Sequence, residues 1–155
     1  MAFFNGILYF GGSLISYLSA SHEPLPTRQL STAIHTFIFP FWTNLYPIKG
    51  SAQNVSYAVM GTPPNRELVV QWSNVRHYDC RGDGAATVTF QVVLFEGVDD
   101  IEFNYRDVHF GGGCSFADGG GSATIGVQVT SQLATQFSYN SPLLQDQTSL
   151  LWTWK

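Results

Sequence analysis

Four groups of side chains have types and spacings that could do chemistry. His77, Asp79 and Cys80 fall within four residues, with Cys114 as a distant fourth ligand for a metal. No CxxC or HxxxH spacing accompanies them, so zinc is not the expected reading and no metal ligand is assigned. Glu96, Asp99, Asp100 and Glu102 form the one carboxylate cluster, and glycoside hydrolysis needs two carboxylates facing each other across a cleft. A solvated hairpin tip explains that cluster better. Calcium on Asp99 and Asp100 with loop carbonyls is the one cofactor left open, although EF-hand spacing is absent. Arg81-Gly82-Asp83 is an RGD tripeptide, which an adhesion module would present to a cell-surface receptor; a chance tripeptide is the plainer account. Nothing has the form of a Gly-x-Ser-x-Gly elbow or a catalytic-cysteine signature, and no catalytic residue is assigned. His22, His35 and His109 are scattered and receive no role.

Cys80 and Cys114 are the only cysteines. As a disulfide they would close a loop of about 35 residues, worth on the order of 4 kcal/mol by loop entropy. The alternative is two loop thiols in a reducing compartment. An oxidised pair would support export.

These residues need elements to position them, and the pattern between them is that of strands. From Thr87 to Glu96, Val88, Phe90, Val92 and Leu94 alternate with Thr87, Thr89, Gln91 and Val93. The same rule places Leu68, Val70 and Trp72 on one face, then Ile101, Phe103 and Tyr105, then Ala123, Ile125 and Val127. Shorter candidates are Asn5 to Phe10, Leu14 to Leu18, Thr36 to Trp42, Val55 to Met60, Thr135 to Tyr139 and Ser149 to Trp154. Glu96 to Asp100 is short enough to join two antiparallel neighbours. One helical turn, Leu25 to Ile34, is expected. The glycines at 111–113 and 119–121 bracket Cys114 and read as a loop; they lack the Lys-Ser/Thr and helix of a phosphate cradle.

The whole predicts a single all-β domain over residues 1–155, a two-layer antiparallel sandwich of about ten strands. Composition agrees, with 15 Gly, 7 Pro and abundant aromatics beside few helix-forming blocks. The apolar fraction of 45% excludes a disordered chain. A net charge of −4 and scattered basic residues offer no stripe for phosphates, so nucleic acid is not an expected partner. No apolar run is long enough for a spanning helix, so no membrane insertion is expected, and no secretory signal is evident in the first residues. Asn54-Val55-Ser56 is a glycosylation sequon that matters only in a eukaryotic secretory pathway.

In order, Asn5-Gly6-Ile7-Leu8-Tyr9-Phe10-Gly11, Phe39-Pro40-Phe41-Trp42, Leu68 to Trp72, Val88 to Phe95, Ile101-Glu102-Phe103-Asn104-Tyr105 and Gly121 to Val127 resemble the nidogen-type (NIDO-like) extracellular domain. The similarity covers nearly the whole chain and is greatest to versions in bacterial surface and secreted proteins. It implies a non-catalytic extracellular or cell-surface module of adhesion or matrix proteins, with no family-wide catalytic residues. In the family a further strand, F-x-F-Y-G, precedes the Asn-Gly strand, whereas only four residues precede Asn5 here. The expectation is a sandwich lacking that strand, with an edge open to a partner or to another copy of the chain, hence a homo-oligomer by edge pairing.

The leading functional reading is therefore a binding or adhesion module for an extracellular protein or glycan, and not an enzyme. Tyr78, Arg81, Asp83 and Phe116, in the two loops beside Cys80 and Cys114, are the expected contact residues. The second reading is a carbohydrate-binding sandwich in which Trp42, Tyr46 and Trp154 stack on sugar rings.

Overall fold

The computed structural model describes residues 2–10, 21–29 and 36–153, with side chains from residue 5 onward. The strands are β1 (Ala2–Phe4), β2 (Ile7–Tyr9), β3 (Phe37–Trp42), β4 (Leu45–Tyr46), β5 (Asn54–Met60), β6 (Glu67–His77), β7 (Thr87–Phe95), β8 (Ile101–Asp107), β9 (Thr124–Gln128), β10 (Ala134–Tyr139) and β11 (Thr148–Trp152). They form two antiparallel sheets. Sheet A runs β1-β2-β3-β9-β10; sheet B runs β11-β8-β7-β6, with β4 and β5 both lying along the far side of β6. The two-layer antiparallel sandwich expected from the alternation is the fold observed.

The strongest periodic segments behave as their pattern requires. Val88, Phe90 and Val92 of β7, Val70 and Trp72 of β6, and Phe103 and Tyr105 of β8 are buried between the sheets, facing Leu8, Ile38, Phe41 and Ile125 of sheet A. The Tyr105 hydroxyl crosses that core to donate to the Pro40 carbonyl at 2.8 Å, tying β8 to β3. Its burial pushes the phenol well above its ordinary pKa, so it stays a donor.

The start of the chain differs from the expectation. Asn5 and Gly6 do not begin a strand; both have positive φ, 47° and 67°, and form the turn of a hairpin that pairs Ala2–Phe4 with Ile7–Tyr9. Asn-Gly is the favoured pair for such a turn because both positions require left-handed backbone. A strand therefore does precede the Asn-Gly segment, beside β2. Leu14 to Leu18 lies outside the described residues, as does half of the expected helical turn; its described half, Leu25 to Gln29, is bent chain without helix.

Sheet A carries a second core that alternation alone could not reveal. All six residues of β3 and all five of β9 are buried. On the outer face, Ile7, Tyr9, Phe37, Phe39 and Trp42 cluster with Leu25 packed against them. Residues 21–29 run over this face as a strap, and β9 and β10 hold it. Thr27 N–H donates to Gln128 Oε1 at 2.7 Å, Gln128 Nε2 donates back to the Thr27 carbonyl, and Leu25 N–H donates to Gln136 Oε1 at 2.7 Å. Thr124 Oγ1 donates to the Glu23 carbonyl. At the strap's end, Glu23 accepts from the Thr27 hydroxyl and the Arg28 N–H. Gly126 lets the layers meet: a Cβ there would lie 2.5 Å from the Thr135 carbonyl oxygen and 2.6 Å from Leu25 Cδ1.

Candidate functional site

The long strand β6 ends in His77, and the chain then makes a 3-10 turn, Tyr78–Cys80, before the exposed segment 81–85. Facing it is a glycine-rich 3-10 segment, Gly112–Gly120. The disulfide Cys80–Cys114 joins the two, with a Cα separation of 6.1 Å. Of the two readings of these cysteines, the structure holds the oxidised one. Cys80 is therefore no metal ligand.

His77 anchors this end of the sandwich. It is 3% exposed, between Phe110 at 5.7 Å and Phe116 at 5.3 Å, both edge-on. Its Nδ1 accepts from the Asp79 N–H, which leaves the proton on Nε2 to be donated to Thr43 Oγ1 at 3.3 Å. Burial pushes its pKa below the ordinary histidine value, outweighing the attraction of Asp79, so the ring is neutral at pH 7.

The four expected contact residues do lie together on this end. Tyr78 is 42% and Phe116 50% exposed, and Tyr46 of β4, edge-on to Tyr78 at 5.7 Å, is 39% exposed. The Arg81 guanidinium stacks 4.1 Å from the Tyr78 ring centre and donates to the Tyr78 carbonyl at 2.8 Å. Arg76 in turn donates to the Arg81 carbonyl at 2.6 Å. Asp83 folds back: its Oδ1 accepts from the Ala85 N–H, while its own N–H donates to the Cys80 carbonyl. The RGD tripeptide is thus a tied turn, its arginine laid on Tyr78 and its carboxylate engaged with its own backbone.

Glu96 is clamped by Arg66 through Nε at 2.9 Å and Nη2 at 2.5 Å, across the β6–β7 hairpin. These bonds draw its pKa down to about 2 and make it a structural ion pair. Glu96, Asp100 and Glu102 line one surface hollow beside Arg66, and Asp99 lines another. Among the described residues, the one trio of metal-ligating side chains that converges is Asp107, His109 and Asp146, which carry the exposed His109–Asp146 ion pair at 3.0 Å. Of the aromatics proposed to stack on sugars, Trp42 is fully buried in the second core and cannot do so; Tyr46 belongs to the cluster with Tyr78, and Trp154 lies outside the described residues.

One surface escaped the sequence reading. The outer face of sheet B holds a trough of about 340 Å³ lined chiefly by Gln71, Gln91, Asn104, Arg106, Gln147 and Ser149. Register makes it: Gln71 pairs with Gln91, Gln91 with Asn104, and Asn104 with Ser149, one row across β6, β7, β8 and β11. Single amides on polar faces look like ordinary solvated positions, so only the pairing exposes the row.

The sequence pattern of the family described as NIDO related matches residues 1–152. No curated protein and no solved structure matches the chain.

Proposed function

The chain belongs to the NIDO-related family, and from that membership we propose that it is a non-catalytic, extracellular binding or adhesion module that receives a protein partner on its disulfide-tied end. The observation that carries this reading is the cluster of Tyr46, Tyr78, Arg81 and Phe116. Three large aromatics and an arginine stand exposed on one end of the sandwich, and a disulfide and a buried histidine immobilise them. Tyrosine and arginine dominate the energetic centres of protein interfaces, and prior rigidity lowers the entropy cost of docking. A disulfide also fits a domain that works in an oxidising compartment. Among the described residues no helix is long and apolar enough to cross a membrane.

The test presents the biotinylated protein to an array of secreted and cell-surface proteins from its source, beside a Tyr78→Ala/Phe116→Ala variant with an unchanged circular dichroism spectrum. Signals present with the parent and absent with the variant support the loop end. Signals that survive the double change refute it.

A second reading, assembly of copies, is favoured by β5. Its seven residues include no charge, Tyr57, Val59 and Met60 are more than half exposed, and among the described residues only β6 pairs with it. Uncharged edge strands of this length are templates for further pairing. Light scattering over a concentration series tests it: a dimer that Val59→Lys converts to monomer supports edge assembly, and a monomer at every concentration removes it.

A further inference from the structure

We propose that the trough on the outer face of sheet B is a binding site for an acidic oligosaccharide, separate from the loop end and independent of the reading given to that end.

Bulges bracket the trough on both sides. In β6 the register slips between Trp72 and Val75, so Ser73 and Asn74 share a place opposite Thr89. In β8 it slips opposite Thr89 and Phe90, leaving Arg106 as the extra residue. Both irregularities flank the same point of β7. Bulges bend a strand and re-aim its side chains, and they recur beside binding sites. Here Asn74 is held at φ 47° by a bond from its N–H to Thr89 Oγ1 at 2.9 Å, which in turn donates to Asn74 Oδ1. Gln147, on the opposite wall, stands at φ 58° and donates from Nε2 to the Arg106 carbonyl at 2.7 Å. Two non-glycine residues in left-handed backbone, each tied to a bulge, give the trough a defined shape.

The chemistry of its lining selects the ligand. Gln71, Gln91 and Asn104 are half-buried, and no protein group within the described residues occupies their amides. Each amide offers two donors and an acceptor, the combination that vicinal hydroxyls match. The row spans three strand spacings, about 14 Å, long enough for an oligosaccharide rather than a single sugar. Arg106 is exposed, and no carboxylate among the described residues pairs with it. A planar guanidinium with its donors unspent is matched by a carboxylate in a forked pair, which a uronic acid supplies. Phe90 and Tyr105 also border it, but each is 1% exposed and belongs to the core, so the side chains the trough presents are polar.

Calorimetric titration of the full chain with oligogalacturonate, with neutral xylo-oligosaccharides of equal length and with an oligoglutamate peptide tests the assignment. The expected result is saturable binding of oligogalacturonate alone, weakened at least tenfold by Arg106→Ala and abolished by Gln91→Ala/Asn104→Ala. Those side chains lie on the outer face, away from the core, so the variants should keep the parent circular dichroism spectrum, and Tyr78→Ala/Phe116→Ala should bind oligogalacturonate as the parent does. Equal binding of the neutral sugar, binding of the peptide, indifference to the amide changes or silence from oligogalacturonate would each overturn the proposal. The array experiment on the loop end is unaffected by any of these outcomes.

Discussion

Removing the disulfide by Cys80→Ala/Cys114→Ala tests how far the candidate loop end depends on it. The cysteines are 34 positions apart in sequence, so cutting the bridge frees a loop whose closure is worth about 4 kcal/mol at 25 °C. Cys114 is fully buried, and the smaller alanine adds a contact loss of about 1 kcal/mol. With an unfolding entropy of about 2.1 cal/mol/K per residue over 155 residues, the combined loss of about 5 kcal/mol corresponds to a fall of about 15 °C in Tm. Urea denaturation of both proteins without reductant provides the readout. A less constrained unfolded chain should also raise the m-value of the variant, because more surface becomes exposed. Hydrogen exchange should accelerate first at residues 78–86 and 111–120, the segments the bridge joins. A stability change below about 1 kcal/mol with an unchanged m-value would refute the argument, and would mean that the His77–Phe116 packing holds this end without covalent help.

Other parts of the fold make equally specific predictions. Tyr105→Phe leaves the Pro40 carbonyl buried without its donor and should cost about 1 to 2 kcal/mol in urea melts, with the fold intact. Gly126→Ala drives a methyl into the Thr135 carbonyl and Leu25, so a loss of about 1 to 3 kcal/mol is expected; a neutral result would mean that the strap is not packed as described. His77 is held neutral in the folded state, so its contribution is complete above the ordinary value of 6.5 and declines as pH falls through the lowered one. The urea midpoint should therefore drop on acidification below pH 6.5, and the drop should shrink in His77→Gln. The Glu96 clamp acts lower: its contribution is present above 4.5 and fades as pH falls towards about 2, so Glu96→Gln should flatten the stability profile only in that acid range.

How much was legible from residue order depended on which faces each strand buries. β6, β7 and β8 bury one face in the core and turn a less buried, largely polar face outward, so Val88, Phe90 and Val92, or Phe103 and Tyr105, announce themselves by period two. In β3 and β9 both faces are covered, and Phe37 to Trp42 reads as an unbroken apolar run whose second neighbour, the strap, is held over it by Gln128 and Gln136, 101 and 111 positions along the chain from the residues they bond. Asn5-Gly6 carried a legible hairpin signal; it was obscured by the strand pattern of Ile7 to Phe10 beside it. The loop residues Tyr78, Arg81, Asp83 and Phe116 were found through the cysteines they flank. Gln71, Gln91, Asn104 and Ser149 carried no such flag.

Composition, alternation and turn chemistry are local properties, and they were enough to determine an all-β sandwich, its strongest strands, its family and the loops its cysteines could join. Tertiary structure alone decided that those cysteines are bonded, that the RGD segment is folded onto Tyr78, that Trp42 is core, and that four separated polar residues share one row. The bridge, the burial of Trp42 and the polar row depend on strand register and on contacts between residues tens of positions apart, whereas Arg81 meets Tyr78 only three positions away. A one-residue slip in register would turn the same side chains to the opposite face, so no local pattern could have specified them.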